Sequence, residues 1–376
     1  MSERLEIENP FFDNDASSSA FGWDFQVNAA IFLFLKYLKN IESVKVEGKH
    51  QDIELQFKDD SYIYAQAKSI QNGSNDNRRS KLEDAIISLV KTKVDYSKGD
   101  KLLYVSNYNA PIKEKDLYNN QIVALKNVSD EKKEFIQIVN KIIENLSSKL
   151  SSEQLPSKRK KKFLELIERL DKINKEDFLI CSIFPYINTE QPEDKYKVIN
   201  DLILKTLTNN FNINNSNIFR FVKNILKNWQ TEFLLNATIP DLLKEKTMTK
   251  LELMLEIIAI ISQDDTEGVK NLLSFELEDD MENEYCVFYE KKSFYHDRFD
   301  FINQLYEDFK VFKSNNNEKT KEFIMLEWEN YKTEYVEFMQ YNDINAQEYL
   351  IKRDLYRLLS NKTNIKRIMD GVYDNN

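Results

Sequence analysis

Asp52, Gln66 and Lys68 are the residues of this chain whose types and spacing point most directly to chemistry. On a strand alternate side chains share a face, so Gln66 and Lys68 project to one side of YIYAQAK while Ala65 and Ala67 project to the other. A turn at Lys58–Ser61 predicts that DIELQF runs back beside it. Asp52, which starts one arm, and Lys68, which ends the other, then lie at the same end of the sheet. A carboxylate, an amide and an ammonium gathered at one end of a sheet suit metal-dependent phosphodiester hydrolysis. Asp52, the Gln66 side-chain oxygen and the Ala67 backbone carbonyl offer the hard oxygen ligands that Mg²⁺ prefers, with Mn²⁺ as a second candidate. Lys68 can orient a water and offset negative charge building at phosphorus. Glu47, at the end of the preceding strand, is either a second carboxylate ligand or a proton acceptor. The competing reading is a hairpin with one solvated polar face. Against it, Lys68 closes an arm that is otherwise mostly apolar or aromatic, where an unpaired ammonium is costly.

These residues need a sheet and helices to hold them. Dense apolar side chains from Gly22 to Asn40 predict a helix buried on most of its surface. SVKVEG, DIELQF and YIYAQAK then read as a three-stranded meander. Ser80 and Glu83 fit a capping box opening a helix whose apolar face is Leu82, Ala85, Ile86, Leu89 and Val90, with Gly99 as its C-cap. LLYVS, from Leu102 to Ser106, is a further strand. Helical stripes follow at Phe135–Leu146 and Phe163–Leu170, and FLICSIF, from Phe178 to Phe184, has the length of one more strand. Residues 1–20 read as a flexible tail, 21–185 as an α/β domain and 186–376 as a mainly α-helical region. In that region Ile324, Trp328, Tyr331, Tyr335 and Phe338 step by four and three like a helical seam, which is core or, where exposed, an assembly surface.

Composition narrows the function. A net charge of −10 means that any phosphate contact must come from a local basic patch. Cys181 and Cys286 stand far apart, which fits a reducing cytoplasm and excludes a zinc cluster built on cysteines. The apolar run Ala29–Leu35 is too short to span a bilayer, and the acidic N-terminus does not read as a signal peptide, so the expectation is a cytoplasmic protein with no membrane partner. No P-loop or dinucleotide glycine motif occurs. His50 and His296 are the only histidines and neither sits in a nucleophile pattern; EDDMENE, from Glu278 to Glu284, lacks the glycine and ligand spacing of a calcium loop.

Taken in order, GWDFQ (22–26), EGKHQDI (47–53), QAK (66–68) and LLYVSN (102–107) resemble the PD-(D/E)xK nuclease superfamily. More narrowly they resemble the double-stranded-DNA endonuclease domain of bacterial antiphage effectors of the CBASS and Lamassu type. That resemblance implies a restriction-endonuclease-like N-terminal domain, a mixed sheet flanked by helices. It implies Asp52, Gln66 and Lys68 as catalytic residues with Glu47, Gln26 in support, and double-stranded DNA as substrate cleaved with low sequence specificity. It further implies activity as a homo-oligomer and control by partners, among them an SMC-like ATPase and an accessory subunit. Gln66 departs from the superfamily pattern by replacing an acidic residue. No SAVED-type sensor is recognised after residue 190, so the helical half favours the Lamassu-like arrangement.

Basic residues could hold the substrate backbone. Arg78, Arg79 and Lys81 stand at the start of a helix just past the QAK strand, where backbone N–H groups already favour phosphate. The run KRKKK, Lys158–Lys162, is the most basic segment and reads as a phosphate contact, an acidic-partner contact or a solvated helix face. Two rivals stand beside the nuclease: a non-catalytic nucleic-acid-binding or scaffold subunit, and an enzyme acting on RNA or single-stranded DNA.

Overall fold

The structure is a computed structural model that describes residues 16–70, 78–109, 119–127, 129–152, 156–174, 178–183, 196–238, 247–262, 298–315, 319–336 and 344–373. Its contacts divide the chain into two compact units, residues 1–36, 41–199 and 233–247, and residues 37–40, 200–232 and 248–376. The boundary expected at 185/186 falls outside the described residues, and the first unit runs on to residue 199.

The first unit is a mixed sheet with helices on its faces. Helix α1 (Ala16–Lys36) begins inside the stretch read as a tail and stops four residues before Asn40. From Phe25 to Leu35 its side chains are buried with little regard to helical face, as expected of a helix rich in Ala, Ile, Leu and Phe. Strands β1 (Ile41–Val46), β2 (Ile53–Phe57) and β3 (Tyr62–Lys68) follow as an antiparallel meander. Helix α2 (Arg78–Leu89) connects β3 to the parallel strand β4 (Lys101–Ser106), a connection that parallel neighbours require. Strand β6 (Leu179–Ser182) continues the parallel pairing, and β5 (Val123–Ala124) pairs antiparallel with β6. Within this unit the order is β5-β6-β4-β3-β2-β1. Two residues carry no periodicity, which is why β5 was not legible in the sequence.

Helices α3 (Ser129–Ser152) and α4 (Ser157–Lys172) cover one face. Their stripes meet α2 in one core, where Phe135, Ile138, Val139 and Leu170 pack with Leu82, Ile86 and Tyr104. The capping assignments made from sequence do not hold. Ser80 lies inside α2, because Arg78 and Arg79 are already helical, and α2 ends at Leu89. Gly99 instead closes a short 3₁₀ turn, Tyr96–Lys98, at φ 88°, a left-handed conformation that glycine adopts without steric cost.

The second unit is helical. It draws on α5 (Lys197–Lys205), α6 (Ile218–Thr238), α7 (Lys250–Ser262), α8 (Arg298–Asn315), α9 (Thr320–Glu327), α10 (Thr333–Val336), α11 (Ile344–Ser360) and α12 (Lys362–Tyr373), the first two of which cross the boundary between units. The aromatic seam is core and not one continuous helix. Ile324, Trp328, Tyr331 and Tyr335 are all buried, but α9 gives way to a 3₁₀ turn over Trp328–Tyr331 before α10; Phe338 lies outside the described residues. Among the described residues no helix is long and apolar enough to cross a membrane.

Candidate functional site

Asp52 is the hub. The β1–β2 connection is shaped so that its carboxylate reaches β3. Glu47 takes a left-handed φ of 51°, and its N–H donates to the Asp52 carbonyl at 2.8 Å, closing the connection on itself. The Glu54 carboxylate accepts from the backbone N–H of His50 at 2.6 Å and of Gln51 at 3.3 Å. Gly48 packs so tightly on that carboxylate that an added Cβ would meet it at 2.3 Å. Glu54 is thus part of the scaffold of the turn and not of its polar cluster.

From this turn Asp52 meets the end of β3. Its Oδ2 accepts the Ala67 N–H at 3.1 Å and lies 3.9 Å from Lys68 Nζ. Gln66, which the β2–β3 register places opposite Asp52, adds a polar side chain that also holds the carboxyl down. In an antiparallel pair a residue's N–H and C=O leave the strand by the same edge, so the Ala67 carbonyl faces the Asp52 side as well. Burial pushes the Asp52 carboxyl above the usual carboxylate range. The Lys68 charge, then the Ala67 and Gln66 hydrogen bonds, oppose that push, and the Glu47 charge adds to it.

Helix α1 supplies the roof. Gln26, one turn after Gly22, donates from Nε2 both to Glu47 Oε1 at 2.8 Å and to the Asp52 carbonyl at 3.0 Å. Gly22 lies against the Ser69 hydroxyl, next to Lys68. The five residues expected to cooperate, Gln26, Glu47, Asp52, Gln66 and Lys68, are therefore brought together at one end of the sheet. Gln26 is buried, and Gln26→Leu would remove its bonds to the exposed Glu47 carboxylate, which water can solvate, and to the Asp52 carbonyl, which keeps the Glu47 N–H. The expected loss is about 0.5–1.5 kcal/mol of stability, read as a fall in Tm on thermal melting.

The basic residues at the start of α2 are only partly available. The Arg78 guanidinium lies over the Tyr108 ring at 5.8 Å, and its buried Nε meets no hydrogen-bond acceptor among the described residues. Arg79 pairs with Glu83 at 3.3 Å, and Lys81 is half-buried. Two structural contributors escaped the sequence reading. Asn107 clamps the β3 and β4 ends by exchanging hydrogen bonds with both backbone groups of Ile70, at 2.9 and 3.0 Å. Gln51 ties the turn to the far end of α2 by donating to the Ser88 carbonyl at 2.9 Å and the Thr92 hydroxyl at 2.7 Å. Asn107 falls in the LLYVSN stretch, but no local signal marks Gln51, whose partners lie some forty residues on.

Other candidates fall away. His50 is exposed in the turn, edge-on to Tyr64. Cys181 is fully buried and its thiol is pushed up to about 12, so it is no nucleophile. His296, Cys286 and the acidic run 278–284 lie outside the described residues.

No family model and no curated protein matches the chain. Among solved structures it is similar to a Moraxella osloensis Cap4 SAVED/CARF-domain containing receptor, at 13% identity and a TM-score of 0.32. The alignment covers 65% of this chain and 48% of that one, so the chain matches about half of the receptor's length. That likeness lies below the level at which a shared fold or activity follows. The geometry around Asp52 is left to carry the functional reading.

Proposed function

We propose that the first unit is a restriction-endonuclease-like domain that hydrolyses phosphodiester bonds of double-stranded DNA with the help of a divalent cation. The observation that carries this reading is the meeting of Asp52, Glu47, Gln66 and Lys68 at one sheet end, with a carboxyl whose proton affinity burial has raised. The residues fit a hard cation. Lys68 offsets the cost of the buried Asp52 charge only in part, and a second positive charge would offset the rest. Among the described residues no cluster of three or more His, Cys, Asp or Glu side chains could hold a metal, so the ligands here would be Asp52 and Glu47 with the Gln66 amide oxygen, the Ala67 carbonyl and water. When bound, Mg²⁺ supplies Lewis-acid polarisation and charge neutralisation at the phosphate.

The chain's own residues do the rest. The Lys68 ammonium can orient an attacking water through one N–H and stabilise the charge that grows on the phosphoryl oxygens. Glu47, when not ligating, can accept a proton from that water, and Gln26 holds the Glu47 carboxylate in place for either task. The motif resemblance extends the proposal to an effector of antiphage defence whose helical half controls it.

The test is cleavage of linear and plasmid duplex DNA by the purified protein with Mg²⁺ and with EDTA, beside RNA and single-stranded DNA at the same salt. Nicking or linearisation that needs Mg²⁺ is the expected result. Preference for RNA or a single strand would change the substrate and leave the site standing.

A further inference from the structure

Helix α4 is the basic element of an acidic chain: seven of its sixteen residues are Lys or Arg and three are Asp or Glu, against a net charge of −10 overall. Those charges do not all stand on open helix surface. A cleft of about 570 Å³ between α2, α3 and α4 is floored by Ile87, Phe163 and Leu166 and ringed by Lys91, Arg159, Lys162 and Arg169, with Glu165 its one acidic member among the described residues. A second cleft, of about 380 Å³, continues past Arg169 to Lys93 and Lys172. Lys172 pairs with Glu168, but Lys91, Arg159 and Lys162 face the first cleft with no described carboxylate partner within ion-pair distance. Arg169 donates to the Lys91 carbonyl, which fixes one wall to the other. The same segment is bolted to the candidate site, because Ser88 and Thr92 receive the side chain of Gln51, the residue before Asp52.

We propose that this α2–α4 cleft is a second phosphate-binding site, which seats the backbone of the duplex to one side of the scissile position. The proposal rests on the nuclease reading. Concave placement over an apolar floor raises the effect of each cation on a phosphate relative to a flat, fully solvated face, and polyanion binding releases condensed counterions in proportion to the contacts made.

The experiment measures the affinity of the full chain for an end-labelled duplex in EDTA across a range of salt. It compares Arg159→Gln/Lys162→Gln, which changes two cleft cations, with Lys160→Gln/Lys161→Gln, which removes the same charge from α4 positions that do not line the cleft. The expected result is a salt slope smaller by about two for the cleft pair and nearly unchanged for the other, with both variants melting like wild type. Equal slopes in all three proteins, or equal losses in both variants, would overturn the cleft while leaving the nuclease reading intact. A wild-type protein that binds no duplex at any salt would overturn both.

Discussion

Lys68→Ala is expected to lower Mg²⁺-dependent DNA cleavage by about 10²–10³-fold, the usual effect of removing one preorganised electrostatic group, and to leave the fold standing. The two halves of that expectation have separate causes. The Lys68 side chain is 27% exposed and its nitrogen lies 3.9 Å from Asp52 Oδ2, a partly solvated pair of the kind that contributes no more than about 1 kcal/mol to stability. In the reaction the ammonium faces charge that grows only in the transition state, where its effect is full-sized. A pH signature accompanies the loss. The Lys68 charge is the largest influence holding the Asp52 carboxyl down against burial, so its removal moves that carboxyl further up and shifts the acid limb of any residual rate to higher pH. Initial rates across pH, with melting curves alongside, check both halves. Unchanged cleavage by a folded Lys68→Ala variant would remove Lys68 from the site and return weight to a scaffold role.

The meander and the meeting of Asp52 with Lys68 were readable in the sequence because a hairpin is local. Period-two alternation sets the faces, and the 58–61 turn sets the register, which the structure realises as Ile53 opposite Ala65 and Gln56 opposite Tyr62. Helical stripes were readable for the same reason: Phe135, Ile138, Val139 and Leu146 repeat on one face and are buried on it. What failed was either too short or too distant. Ser80 with Glu83 satisfies the capping pattern, yet the helix starts earlier, because helix boundaries depend on the chain that precedes them. The aromatic seam kept its period over Ile324–Tyr335 while the backbone tightened into a 3₁₀ turn at Trp328, since side-chain spacing of three and four tolerates both geometries. Gln51 could not be found because a buried amide is identified by its partners, and Ser88 and Thr92 become neighbours only once α2 is packed on the sheet.

Asp52→Asn separates catalysis from structure most sharply. The asparagine keeps an oxygen for the Ala67 N–H and loses the charge, so the expected outcome is cleavage reduced by about 10³-fold with a Tm equal to or above wild type near neutral pH. The sign follows from the raised carboxyl. In the folded chain Asp52 binds its proton more readily than in the unfolded chain. Its contribution to stability is therefore present below the ordinary carboxylate range and is lost as pH rises through the raised folded value. At neutral pH wild type bears that loss, which the Glu47 charge increases, and the variant does not titrate at this position at all. A residue retained purely to clamp the hairpin would behave in the opposite way, and its replacement would lower Tm, by about 2–4 °C for each kcal/mol in a domain of this size. Melting wild type and variant from pH 4 to 8 decides the matter. Curves that converge at the acid end, with the variant level or higher at neutral pH, mark a carboxylate held in the site against the interest of stability, which is where functional residues are expected to stand. A variant less stable than wild type at neutral pH, with cleavage intact, would assign Asp52 to the fold.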